Sequence, residues 1–350
     1  MLVAVVALLV AGTGIVLIPR DSGTPPVLSF SETARLEALE DALLLRESAT
    51  TLVASAAPGA GTAGPGNTVT LLTTHAQALL DPHNDGTSSP SAAPAGSAHT
   101  VSATPGNRAT FLAGLAGSGW KRLEDAREAD GGIARLLAAV GSAQVLEAER
   151  LAALWQLPLP EKATAVGPKA PAATPSTASC PSASPTPEPG SATTDTALAA
   201  VVRTQQEAIY VYQVALKRLD ETKSAAAFKH LEGHEVLLRQ AESFTSANCA
   251  DVPASVPGYR LPPQFSQDPA GFLGTVELAS LPRFGDLVAL STESTRSWAI
   301  ENLLAAARRS LAWDAPLPAL PGLVLEAGQL PPLPTPGSSK ATASTLPLGG

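Results

Sequence analysis

The chain is poor in the side chains that most enzymes and nucleic-acid binders rely on. Its 350 residues include two cysteines, one methionine and five histidines, and aromatics make up 4%. A core this short of aromatics must be assembled mainly from Ala, Leu and Val, and Ala with Leu favours helix. Basic side chains are outnumbered, 23 Lys+Arg to 31 Asp+Glu, for a net charge of −8. That balance excludes a nucleic-acid partner, which needs a basic face to displace counterions from phosphates. No nucleophile elbow, phosphate-binding loop or dinucleotide fingerprint occurs, and His75, His83 and His99 lie in or beside low-complexity sequence. Strand-like alternation of useful length is absent, so the reading is all-α.

What the chain does have is organisation. No charged side chain precedes Arg20, and residues 1–18 are an apolar run. At helical rise that run spans about 27 Å, near the thickness of a bilayer core. No small-x-small cleavage site follows it, so the expectation is an uncleaved single-pass anchor in the cell membrane. The Ser/Thr/Pro-rich connectors and the even cysteine count place the bulk of the chain on the extracytoplasmic side.

Beyond the anchor, residues 31–156 read as a helical N-terminal domain with about four amphipathic helices. Ser31 is the expected N-cap of the first, and Leu36, Leu39, Leu43 and Leu52 its apolar stripe. Residues 68–80 form a Thr-rich second segment, and residues 82–106 a low-complexity insert. The third helix is carried by Phe111, Leu112, Leu115, Trp120 and Leu123, with Gly114, Gly117 and Gly119 weakening it. Ile133 to Trp155 is the fourth, with Leu154 inward. Nine prolines within 157–193 predict an extended linker. Residues 194–315 then hold four helices with one long connection, the pattern of a helical bundle. Asp268 caps the third of these with Pro269 in its first turn, and Pro282 should kink it. Residues 316–350 form a Pro/Gly/Ser-rich tail. The two patterned regions are expected to be separable units.

Four features of the second half carry a family resemblance. They are the run Leu198 to Tyr212, the run Ala225 to His230 followed by Glu235, and the loop Pro257 to Pro262 leading into Asp268-Pro269-Ala270. Glu277, Glu301 and Trp313 complete them. In their order and spacing they resemble a ferritin-like domain-of-unknown-function family of secreted or membrane-anchored proteins of high-GC Gram-positive bacteria. The resemblance covers about 120 residues and implies a ferritin-like four-helix bundle. It also implies Glu-His where this chain has Gln205-Gln206, which removes a ligand from any carboxylate metal site.

The inward polar candidates are Gln205, Tyr212, His230, His234, Glu277 and Glu301. His230 and His234 are four apart and share a helical face. They are candidate iron or manganese ligands together with Glu277 and Glu301, but Ala227 and Leu231 stand where a Glu-x-x-His motif needs glutamate. The main expectation is therefore a non-catalytic structural or interaction module without a cofactor, its protein partner unspecified. The alternative is a metal-handling or oxidase-type bundle. Without metal, Glu277 and Glu301 should be paired, with His230 and His234 as partners, because an isolated buried carboxylate is strongly disfavoured. Cys180 and Cys249 are expected to form a disulfide, as the only two cysteines of an exported chain.

Overall fold

A computed structural model describes residues 28–55, 63–80, 107–159, 192–325, 328 and 330–333. Within these residues every regular element is a helix. The first set is α1 (Phe30–Ala54), α2 (Ala63–Leu79), α3 (Arg108–Glu128) and α4 (Gly131–Trp155). The second is α5 (Thr194–Ala215), α6 (Glu221–Ala247), the five-residue α7 (Pro263–Gln267), α8 (Pro269–Leu290) and α9 (Glu293–Ala312). No helix among the described residues is long and apolar enough to cross a membrane. The expected anchor at 1–18, the insert at 82–106 and most of the linker at 157–193 lie outside the described residues.

Local sequence explains the boundaries. Ser29, not Ser31, caps α1, its side chain accepting from the Glu32 amide. Ser31 is turned inward, and its hydroxyl donates to the Asp130 carboxylate at 2.7 Å. Asn107 caps α3, Thr193 and Thr196 form a capping box on α5, and Asp220 caps α6. Asp268 caps α8 by accepting from the Gly271 amide at 2.9 Å, with Pro269 in the first turn as expected. Helix α8 runs on through Pro282.

The buried stripe of α1 is Ala34, Ala38, Ala42, Leu45, Ala49 and Leu52, while Leu36 is exposed. The expected stripe thus keeps Leu52 and leaves Leu39 and Leu43 half-buried at the edge of the core, while its centre shifts onto alanines, which let neighbouring helices approach closely. Leu154 likewise faces outward. The same logic inverts the reading of the α3 glycines. A Cβ on Gly119 would lie 2.8 Å from Val145 Cγ2, and one on Gly141 would lie 2.7 Å from the Gly119 carbonyl oxygen. Gly119 and Gly141 mark the point where α3 and α4 touch backbone to backbone.

Pairwise packing runs α1 on α2, α3 on α4, α5 on α6, α5 on α8 and α8 on α9, with α4 against α8 joining the sets. One hydrophobic core spans both, from Ala38, Leu137 and Val140 to Leu198, Leu287, Val288, Trp298 and Leu303. The two patterned regions therefore share this core, and each also holds a smaller cluster of its own, around Leu72, Phe111 and Leu115 in the first and around Tyr212, Phe265 and Leu273 in the second. The expected tail also departs from its reading at its beginning: Leu320 is buried in that shared core, and Leu317 and Leu323 pack on it. We refer to residues 314–325 as the strap.

Candidate functional site: a buried polar network

Four helices each send a polar side chain to one point. Gln205 and Tyr212 are two turns apart on α5 and so share a face. His230 and His234 are one turn apart on α6, Glu277 sits on α8 and Arg309 on α9, with Trp313 just past its end. Gln205, Tyr212, His234 and Glu277 are all buried.

Glu277 is the hub. Its Oε1 accepts from the Tyr212 hydroxyl at 2.7 Å and pairs with His234 Nε2 at 2.8 Å. Its Oε2 accepts from Arg309 Nε at 2.9 Å. His234 Nδ1 lies 2.8 Å from Gln205 Oε1. Trp313 Nε1 donates to the Tyr212 hydroxyl at 2.7 Å and to His230 Nδ1 at 3.1 Å. The rings pack as closely as their bonds suggest: Tyr212 and His234 centroids are 4.9 Å apart, and His230 meets Trp313 edge-on at 5.6 Å.

Electrostatics follow the geometry. Burial pushes the Glu277 carboxyl up, but the His234 hydrogen bond, the charges of Arg309 and His234 and the Tyr212 hydroxyl outweigh it, holding it down at about 2. Glu277 is thus a carboxylate at every ordinary pH. Burial and then the Glu277 charge push the Tyr212 phenol well up, so it stays protonated and donating. Burial lowers the His230 imidazole, with Glu277 opposing and Arg309 assisting.

The sequence candidates do not all meet. Gln205, Tyr212, His230, His234 and Glu277 converge. Glu301 does not: its side chain is 43% exposed and pairs with Arg127 of α3 at 3.4 Å. On α9 the buried positions are Ile300, Leu303, Leu304 and Ala307, and residue 301 lies about a third of a turn from Ile300. Leu311 is exposed as well. In place of Glu301 the helix contributes Arg309, which is not among the sequence candidates. The signal was available in the spacing of Trp298, Arg309 and Trp313, which lie on one side of α9.

The donor set does not fit a di-metal centre. Such a centre needs carboxylates from facing helices, and here there is one, with both oxygens engaged. The guanidinium beside Glu277 is a fixed cation that a metal ion would have to displace. Gln205 holds the position at which the resemblance implies a carboxylate, and it is bonded to His234. Among the described residues no group of three or more His, Cys, Asp or Glu is arranged to hold a metal ion.

Outside the network, Gln206 Nε2 donates to the Pro253 carbonyl at 3.0 Å and Tyr210 packs on Tyr259 at 5.5 Å, fixing the long connection between α6 and α7 to α5. Cys249 opens that connection in the left-handed conformation, with φ 58°. No cysteine among the described residues is free. Its expected partner Cys180 lies outside the described residues.

No curated protein and no solved structure matches this chain. Residues 197–325, a span that holds the whole network and the strap, match the family described as Domain of unknown function (DUF4439).

Proposed function

We propose that the protein is a membrane-anchored, extracytoplasmic helical protein whose C-terminal helices form a ferritin-like bundle acting as a non-catalytic structural or interaction module. The observation that carries this is the saturation of Glu277. A catalytic carboxylate needs a free oxygen for substrate, metal or proton transfer, and this one has two hydrogen-bond partners on Oε1 and a guanidinium on Oε2. Buried polar networks in which the charged hub is paired rigidify and specify a core. The apolar run at 1–18 supports single-pass attachment to the cell membrane, and the two cysteines support an oxidising compartment in which Cys180 and Cys249 pair.

The deciding measurement is elemental analysis of the full chain, purified without chelator from cells grown with added iron and manganese. The reading expects metal far below one equivalent. Stoichiometric iron or manganese that is lost on Glu277→Gln would overturn it in favour of a metal-handling protein. Fractionation of cells and mass spectrometry of a non-reduced digest check location and the disulfide. Recovery of the chain in the soluble cytoplasm with two free thiols would refute both.

A further inference from the structure

The family match ends where one part of the fold meets another. Residues 197–325 contain α6 to α9 and the strap, and α5 apart from its first turn, whereas α1 to α4 lie wholly outside the match. Yet α8, α9 and the strap do not face solvent on the side turned to α4. Along this face the contacts are of three kinds.

The first is backbone on backbone. Gly131, at the start of α4, lies so close to Ala289 that a Cβ there would overlap the Ala289 carbonyl, and a Cβ on Gly285 of α8, besides overlapping the Gly322 carbonyl of its own module, would lie 3.0 Å from Arg135 Nε of α4. The second is capping of one part by the other. Arg135 Nε donates to the Gly322 carbonyl at 2.8 Å, and His75 Nε2 donates to the Ala319 carbonyl at 2.8 Å. Arg296 Nη1 donates to the Ala129 carbonyl at 2.5 Å while its Nε donates to Ser291 at 2.6 Å. The third is a rim of three ion pairs, two with the cation on the N-terminal part and one with it on the C-terminal part: Arg127 with Glu301, Arg135 with Asp286 at 2.7 Å, and Glu149 with Arg308 at 2.5 Å. A packed apolar centre, close backbone approach and a complementary charged rim are the anatomy of a specific interface.

The covalent route between the parts imposes none of this. Thirty-two residues, 160–191, separate them. A chain of that length can extend to about 110 Å, far beyond the radius of a domain this size. The fit must therefore come from the surfaces themselves.

We propose that the face formed by α8, α9 and the strap is a docking surface of the 197–325 module for a helical partner, and that in this chain the helical set α1 to α4 is that partner, bound in cis. The partner it fits is a helical set with glycine at the closest approach, a basic start and an acidic later turn on the contacting helix. This deepens the interaction-module reading and rests on it. Its test reads association rather than metal, so either can fail alone.

The test is to insert a site-specific protease sequence within 160–191 of the full chain, cleave it, and follow the pieces by gel filtration and by dilution. The proposal expects a non-covalent complex that survives cleavage at micromolar concentration. Gly131→Ala, which leaves α4 intact, should weaken the cleaved complex by about tenfold through overpacking. Arg135→Asp and Asp286→Arg should each weaken it, and the double variant should recover part of the loss; this pair keeps the test sharp if Gly131→Ala does not fold. Pieces that separate on cleavage as two folded species would overturn the proposal. So would elution of the uncleaved chain as a dimer, which would place the partner in trans, or a charge-swap double variant no better than its singles.

Discussion

Two carboxylates, one half-buried in the N-terminal part and one fully buried in the C-terminal part, meet opposite fates. Asp41 of α1 is partly buried near Arg122, but its Oδ2 is 3.6 Å from Nη1 and 3.5 Å from the Ser118 hydroxyl. Burial wins, and the Asp41 carboxyl is pushed up despite Arg122. Glu277 is more deeply buried and yet held down at about 2. The difference lies in donors. Glu277 receives its partners from three other helices at 2.7–2.9 Å. Asp41 draws both its partners, Ser118 and Arg122, from α3 alone, and Arg122 is shared with Asp125 at 3.1 Å. Depth alone does not decide whether a buried charge is tolerated; the number of well-placed donors does.

Breaking that comparison at its strong end should have the largest effect. Glu277→Ala leaves Arg309, His234 and Tyr212 without their acceptor, and removing one member of a buried pair costs about 3–5 kcal/mol. Urea unfolding of Glu277→Ala against the parent should show that loss in the midpoint with an unchanged slope. Asp41→Asn should shift the midpoint little, because the carboxylate it replaces was already disfavoured. Equal losses at the two positions would end the distinction.

Acid should separate the two carboxylates by sign. A depressed group stabilises above its unfolded value, so the Glu277 contribution is present above about 4.5 and is lost as pH falls toward about 2. Asp41 runs the other way: its raised group takes up a proton in the folded state first, so falling pH favours the fold there. His75 adds a third limb. Burial lowers its imidazole to about 4, so the unfolded chain is protonated first and stability falls between about 6.5 and 4. Stability measured against pH should have a shallower limb between about 6.5 and 4 in His75→Leu, where the lowered His230 still contributes, and should lose its lower limb in Glu277→Gln. A parent curve flat from pH 7 to 4 would show that His75 is not the buried neutral ring described.

Core packing offers an intermediate test within the N-terminal part alone. Gly141→Val places three carbons, a Cβ and two methyl groups, where α3 and α4 already touch, and overpacking of this kind costs about 1–3 kcal/mol or more. Gly117→Ala, on open ground, should be neutral or slightly stabilising. The thermal midpoints of the two variants should therefore move apart.

Much of this was legible in the sequence because helical period is a strong signal. The four C-terminal helices, the Asp268 cap, the burial side of Gln205, Tyr212, His234 and Glu277, and the tension over a metal site can all be read from spacing. What could not be read depends on neighbours. Periodicity locates a stripe only to within about a residue, and one residue is about 100° of rotation. That margin put Glu301 inside and left Arg309 off the list of inward candidates. Alanine and glycine carry little hydrophobic signal, so the buried side of α1 and the crossing at Gly119 and Gly141 were invisible. The strap lacks period altogether; Leu320 enters the core by tertiary fit alone.

The smallest expected effect belongs to the rim. Arg308 and Glu149 bridge the two parts with Nη2 to Oε1 at 2.5 Å and Nε to both oxygens at 3.1 and 3.2 Å, but their side chains are 43% and 32% exposed. Water already solvates both charges, ordering two long side chains opposes the gain, and salt screens what remains, so such pairs contribute about 0–1 kcal/mol. Glu149→Gln should lower stability by no more than that in dilute buffer, and the difference should vanish in 1 M salt, where the screening length falls to about 3 Å. A larger loss that persists in salt would mean that Glu149 is held by more than charge. The rim would then belong with the buried contacts of Arg296 and Gly131 in joining the two parts, rather than serving chiefly to set their register.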